Sequence, residues 1–112
     1  MNITVAERRG VTIISVIGAI DAADVETVST VLDALVKEGR TRLVADASQL
    51  EYINSSGLRA LVKTLKDTTR NNGDFRLANV QSNFRRVLEI TGFTSAFKAY
   101  PDVEAAVASF SG

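Results

Sequence analysis

The sequence predicts an α/β domain: a mixed, mainly parallel β-sheet with an antiparallel first strand, packed against about four helices in the order ββαβαβαβα. Three observations carry that prediction. Two β-branched runs near the N-terminus flank a turn at Arg9-Gly10. Later apolar runs are short and lack alternation, as parallel strands covered on both faces do. Between those runs, apolar residues recur at helical spacing.

The first two strands are Ile3-Thr4-Val5 and Val11-Thr12-Ile13-Ile14-Ser15-Val16-Ile17, a hairpin closed at its far end by Gly18 and Asp21. Val25, Val28, Leu32, Leu35 and Val36 then give one apolar helical face that stops at Gly39. Arg42 to Ala47 reads as a central parallel strand. Ser48 to Ile53 reads as a loop, and it leads into a second helix whose buried stripe is Leu58, Leu61, Val62 and Leu65. Asn71-Asn72-Gly73-Asp74 ends that helix, and Phe75-Arg76-Leu77-Ala78 supplies the next strand. Ser82 or Asn83 is the expected cap of a third helix carrying Phe84, Val87 and Leu88 inside, with Gly92 beyond its end. A brief strand near Phe97-Lys98-Ala99 precedes a last helix opened by Pro101-Asp102, with Val103, Val107 and Phe110 facing inward. Right-handed crossovers between the parallel strands complete one unit over residues 1–112, without repeat or linker.

Composition narrows the chemistry. The 112 residues are 46% hydrophobic and 23% charged, a globular balance. Thirteen basic and thirteen acidic side chains cancel, so no net field draws the chain to nucleic acid or anionic membranes. No apolar run approaches a membrane span and Met1-Asn2-Ile3-Thr4-Val5 lacks a signal pattern, so the expected address is cytoplasmic. The chain contains no cysteine, which removes thiolate nucleophiles, disulfides and sulfur-ligated metals. It also contains no histidine, so a serine nucleophile would lack its usual base. An enzyme is therefore not expected.

No glycine-rich dinucleotide or Walker-type loop is present, and the seven glycines are scattered as turn and cap residues. Asp21, Asp24, Asp46 and Glu51 are isolated carboxylates without metal-ligand spacing, and no cofactor is expected. Asp21 and Asp46 read as turn formers at strand ends, on the edge where Ser55 should also emerge. The informative segment is Tyr52-Ile53-Asn54-Ser55-Ser56-Gly57-Leu58, where extended chain hands over to a helix. There Ser55 and Ser56 meet free backbone N–H groups and the positive end of the helix dipole. A hydroxyl so placed can cap the helix, act as a nucleophile or accept a phosphoryl group. Gly57 has two readings: close approach of a partner or phosphate, or close packing against the sheet.

Leu43-Val44-Ala45-Asp46-Ala47-Ser48, then Tyr52 to Leu61, then Phe84-Arg85-Arg86-Val87-Leu88 and Gly92-Phe93 resemble the STAS domain, most of all the bacterial anti-sigma factor antagonists. Gly18-Ala19-Ile20-Asp21 is similar to that family's Gly-x-x-Asp step, and the resemblance covers essentially the whole chain. It implies a serine, here Ser55, phosphorylated by a partner that is both anti-sigma factor and GHKL-type serine kinase. It implies further that the unmodified form binds this partner and frees a sigma factor, while a separate serine phosphatase resets the modified form. The antagonist is then a substrate and binding module, with a monomer or dimer both compatible with its size and neutral charge. One departure stands out: Asn54 occupies the place where the family most often has Asp. An unmodified STAS scaffold in a larger signalling or transport complex is the alternative that Asn54 favours.

Asp21, Asn54, Ser55, Ser56 and Gly57 form the expected partner-binding set. Arg59, Lys63 and Lys66 join it because, with Arg70, they follow Ser55 at steps of four, four, three and four along one helix flank. That flank reads either as a basic strip that meets an acidic regulator, with Arg59 in reach of a Ser55 phosphate, or as a solvated face broken by Asp67.

Overall fold

In the computed structural model, which describes residues 1–111, β1 (Asn2–Arg8) and β2 (Val11–Ile20) form the expected antiparallel hairpin. Both turn residues, Arg9 (φ 53°) and Gly10 (φ 77°), are left-handed, the geometry that a two-residue hairpin turn needs to match strand twist. The chain continues through α1 (Val25–Lys37), β3 (Arg42–Asp46), β4 (Leu50–Ile53), α2 (Ser55–Arg70), β5 (Asp74–Ala78), α3 (Ser82–Thr91), β6 (Ala99–Tyr100) and α4 (Val103–Ala108). A 3-10 turn, Ser109–Ser111, follows α4.

The strands form a sheet in the order β1-β2-β3-β5-β6, with β4 paired to β2 off that path. Only β1 is antiparallel. The mixed, mainly parallel sheet with four helices is the predicted fold class. The predicted element order is corrected at one point, because Leu50–Ile53 is a strand and not part of a loop. It pairs in parallel with the end of β2 through Gly18↔Leu50, Ala19↔Tyr52 and Ile20↔Ile53, with a register shift at Gly18/Ala19. The irregularity hides it: Leu50 and Ile53 are buried while the two residues between them are exposed, so no period of two survives.

Two apolar layers enclose the sheet. On one face Ile14, Val16 and Ile20 of β2 and Leu43 of β3 meet Val28 and Leu32 of α1, Leu58 and Leu61 of α2, and Phe84 and Leu88 of α3. On the other, Val11, Ile13, Val44 and Ala78 lie against Ala106 and Val107 of α4. The stripe expected for α2 is shifted by part of a turn. Leu58 and Leu61 are buried, but Thr64 and Thr68 take the next inward places, and Val62 and Leu65 lie partly buried at its margin. Each threonine satisfies its hydroxyl on the helix itself, Thr64 donating to Ala60 O (3.0 Å) and Thr68 to Leu65 O (3.0 Å).

Helix ends differ in two places from expectation. The N-cap of α3 is Gln81, not Ser82 or Asn83, which both lie inside the helix, and the Asn83 amide donates to Glu51 O on β4 (3.3 Å). At α4 the expected Asp102 is the cap and accepts from Ala105 N at 2.8 Å. Phe110 leaves the helix for the following turn, where the Arg76 guanidinium lies 4.0 Å above its ring. Phe75 is fully buried and meets Phe97 edge-on, with ring centroids 6.0 Å apart. Phe75→Ala is expected to lower unfolding stability by about 3–5 kcal/mol in urea titration, whereas exposed Val5→Ala should stay within about 0.5 kcal/mol.

Candidate functional site

β2, β3 and β4 run in parallel, so their C-terminal ends open on one edge of the sheet. Ile20 ends β2 and Ile53 ends β4, side by side in the ladder. The next amide, Asn54 N, donates to Ile20 O at 3.1 Å, which draws Asn54 against the strand that Asp21 leaves. Asn54 is extended (φ −84°, ψ 173°), and its Oδ1 accepts from Gly57 N at 2.7 Å. That is a side-chain N-cap, and it makes Ser55 and Ser56 the first two residues of α2. The Ser55 and Ser56 amides precede the first intrahelical bond, made by Leu58 N to Asn54 O (3.0 Å). Both serine side chains are exposed, and among the described residues neither hydroxyl is engaged in a side-chain hydrogen bond.

Gly57 faces inward. A Cβ there would lie 2.9 Å from Ile20 Cγ2, 2.9 Å from Ile53 Cγ1 and 3.2 Å from Asn54 Oδ1. Of its two readings, the structure supports close packing. Gly57 is buried beneath the helix start.

Asp21 is exposed and curls back on its own loop. Its Oδ1 accepts from Ala23 N (3.0 Å), while Asp21 N donates to Asp24 Oδ2 (3.1 Å). Asp46 ends β3 and fastens two neighbours, accepting from Ser48 N at 3.0 Å and Asn79 Nδ2 at 3.1 Å. Both are therefore turn and strand-end residues, and Asp21 shares the site's edge. Among the described residues no group of three or more His, Cys, Asp or Glu side chains could hold a metal.

The basic flank of α2 is less open than its spacing suggests. Lys63 Nζ lies 2.8 Å from Asp67 and 3.2 Å from Asp33 of α1, and Arg70 lies 3.4 Å from Asp67. The hydrogen bonds to Asp67 and then Asp33 hold the Lys63 ammonium above its ordinary pKa. Lys63 thus bridges two helices while its side chain stays 62% exposed. Arg59 and Lys66 remain exposed without an ion pair among the described residues. Sequence spacing within α2 shows Asp67 but not Asp33, which the fold brings across from 30 residues away. Tyr52, outside the expected set, is 51% exposed on β4 just before the site. Its only signal in the sequence is an aromatic residue directly ahead of the helix start.

A STAS domain family model matches residues 2–106, nearly the full length. The chain belongs to the STAS domain family. Within it, the chain is 34% identical over 110 residues to BtrV of Bordetella bronchiseptica, whose name places it among the anti-sigma factor antagonists; the match covers 98% of this chain and 95% of BtrV. The crystal structure of an anti-sigma factor antagonist from Mycobacterium paratuberculosis superposes with a TM-score of 0.87 at 28% identity, covering 96% of this chain and 92% of that one. SpoIIAA in its unphosphorylated form shares the fold, with a TM-score of 0.79 at 18% identity over 99% of each chain. Its phosphorylated form, from Bacillus, gives 0.75 at 18% identity, covering 96% of this STAS chain and 99% of SpoIIAA. Among the described residues no helix is long and apolar enough to cross a membrane.

The cap makes two measurable demands. Asn54→Ala should cost about 1 kcal/mol of stability by loss of the Gly57 N–H acceptor, read by chemical denaturation. Gly57→Ala should cost more, about 1–3 kcal/mol, because its methyl group overlaps two buried isoleucines.

Proposed function

We propose that this STAS chain is an anti-sigma factor antagonist whose partner binding is controlled by phosphorylation of Ser55. The observation that carries the reading is the exposed Ser55 side chain on the first residue of a helix pinned to two strand ends. The relatives named for anti-sigma factor antagonism, similar over nearly the full length, support the same conclusion. Unphosphorylated, the chain binds an anti-sigma factor that is also a serine kinase of the GHKL type and so frees the sigma factor. Phosphorylated, it lets go, and a serine phosphatase returns the hydroxyl. The chain acts as a substrate and a binding module.

In the transfer, Ser55 Oγ forms a bond to the γ-phosphorus of ATP, the bond to the ADP oxygen breaks, and the hydroxyl proton leaves. Asn54 cannot take that proton, because a side-chain amide is not a base and its oxygen already accepts from Gly57 N. In this reading a base of the kinase takes it. The product carries about −1.5 to −2 charge at the helix N-terminus, where the dipole and the free Ser55 and Ser56 amides favour it by up to about 2 kcal/mol. Arg59, one turn on and without an ion pair among the described residues, favours it further. Against an opposing protein surface the same dianion has to be desolvated, which costs several kcal/mol. About 3–4 kcal/mol moves an affinity by more than a hundredfold.

The test combines the chain with the kinase-type anti-sigma factor of its own genome and ATP, locates phosphate by mass spectrometry, and measures binding. Ser55→Ala should bind and remain unphosphorylated; Ser55→Asp should bind at least about tenfold more weakly. If no phosphate forms and both variants bind as the unaltered chain does, the neutral Asn54 cap marks an unmodified STAS scaffold instead. Phosphate on Ser56 would move the switch one residue.

A further inference from the structure

Among the described residues, α4 covers only part of its side of the sheet. α4 is six residues long and packs over β3, β5, β6 and the start of β2, where Val11 and Ile13 lie beneath it. By strand alternation, Ser15, Ile17 and Ala19 continue the same face of β2 beyond α4. Thr4 of β1 stands beside Ser15, and Tyr52 of β4 stands beside Ala19. Ile20 and Ile53, the next residues along, both point into the main core, which fixes Ala19 and Tyr52 on the opposite side. Ile17 and Tyr52 belong to neither apolar layer, and Tyr52 is half exposed. None of Thr4, Ser15, Ile17, Ala19 and Tyr52 carries a charge. Ile17 and Ala19 are half-buried and the Tyr52 ring stands half exposed beside them, an apolar centre bordered by polar Thr4 and Ser15 and by the exposed Glu51 carboxylate of β4.

Its upper rim is the candidate site. β2 runs from Ala19 through Ile20 into Asp21, and β4 runs from Tyr52 through Ile53 into Asn54 and Ser55. We propose that the anti-sigma factor covers the apolar centre of this face, Ile17, Ala19 and Tyr52, with an apolar surface of its own, so that the interface descends from Ser55 across β4 and β2. The inference rests on the antagonist reading and names where that partner sits. The continuity of the face with Ser55 selects this partner as its occupant. On the α2 flank Lys63 and Arg70 already share the Asp67 carboxylate, whereas among the described residues the apolar layer under α4 takes only Val11 and Ile13 from β2. The placement also explains why a phosphate would be effective: the dianion would stand at the rim of the contact and would have to lose its water for the partner to close over it.

The experiment uses the full chain and the same kinase-type anti-sigma factor, with binding measured by calorimetry and folding checked by thermal melting. Tyr52→Lys, at an exposed position, should keep the melting temperature and weaken binding by at least about tenfold; Ile17→Ser should weaken it too. Val5→Lys, equally exposed but on the other face of the hairpin, should bind unchanged. Amide exchange over residues 15–19 should slow in the complex. If the unaltered chain and Ser55→Ala bind while Tyr52→Lys and Ile17→Ser bind equally well, this inference is overturned and the antagonist reading stands. A chain that is dimeric until Tyr52→Lys makes it monomeric, with anti-sigma factor binding untouched, assigns the face to a second copy and overturns it as well. Failure of the unaltered chain to bind overturns both readings.

Discussion

The contact on which the site depends is the seating of the α2 N-terminus on Ile20 and Ile53. Those two side chains close the ends of β2 and β4, and both are almost fully buried. A helix can begin directly above them only if its third residue has no side chain, and Gly57 is that residue. The same close approach lets Asn54 bond in two directions, its amide to Ile20 O and its side-chain oxygen to Gly57 N. Position and orientation of Ser55 are consequences of this seating. The hydroxyl is exposed because the residues around it are locked inward.

Fold and site meet at that seam yet do different energetic work. The stabilising mass lies in two apolar layers on either side of the sheet, with Phe75, Leu43, Leu77 and Val44 at their centre. Ser55 contributes nothing to those layers. A charge added to its side chain is therefore a matter between the surface and whatever touches the surface. The Arg76 side chain shows the opposite arrangement, since it is bonded to Asp74 (2.9 Å) and Ser109 (2.7 Å) and stacked on Phe110, which makes it a fastening for the C-terminal turn.

Much of this was legible in the sequence because the relevant signals are local. The hairpin follows from β-branched runs around Arg9-Gly10, and α1 from apolar spacing that ends at Gly39. The helix start at Ser55 follows from a capping residue ahead of an amphipathic run. What escaped was decided by distant partners. β4 has four residues and a bulged register, so only its pairing with β2 reveals it. The α3 helix begins earlier than a capping Ser82 or Asn83 allows, and Asn83 bonds across to Glu51 O of β4. Thr64 and Thr68 sit deeper than Val62 and Leu65 because the helix can satisfy their hydroxyls internally, which removes the usual penalty for burying them. The tying of Lys63 depends on Asp33, and no period within α2 could show it.

The turn at Arg9-Gly10 lies at the start of β2, and the site lies at its end. Ten residues of extended chain separate the two by about 30 Å, with the sheet between them. Both turn residues are exposed and the backbone there already adopts the conformation of a tight reversal. This remote tip is where the molecule can carry a fluorophore, an affinity handle or a short peptide insert, leaving the serine-bearing rim free to meet other proteins.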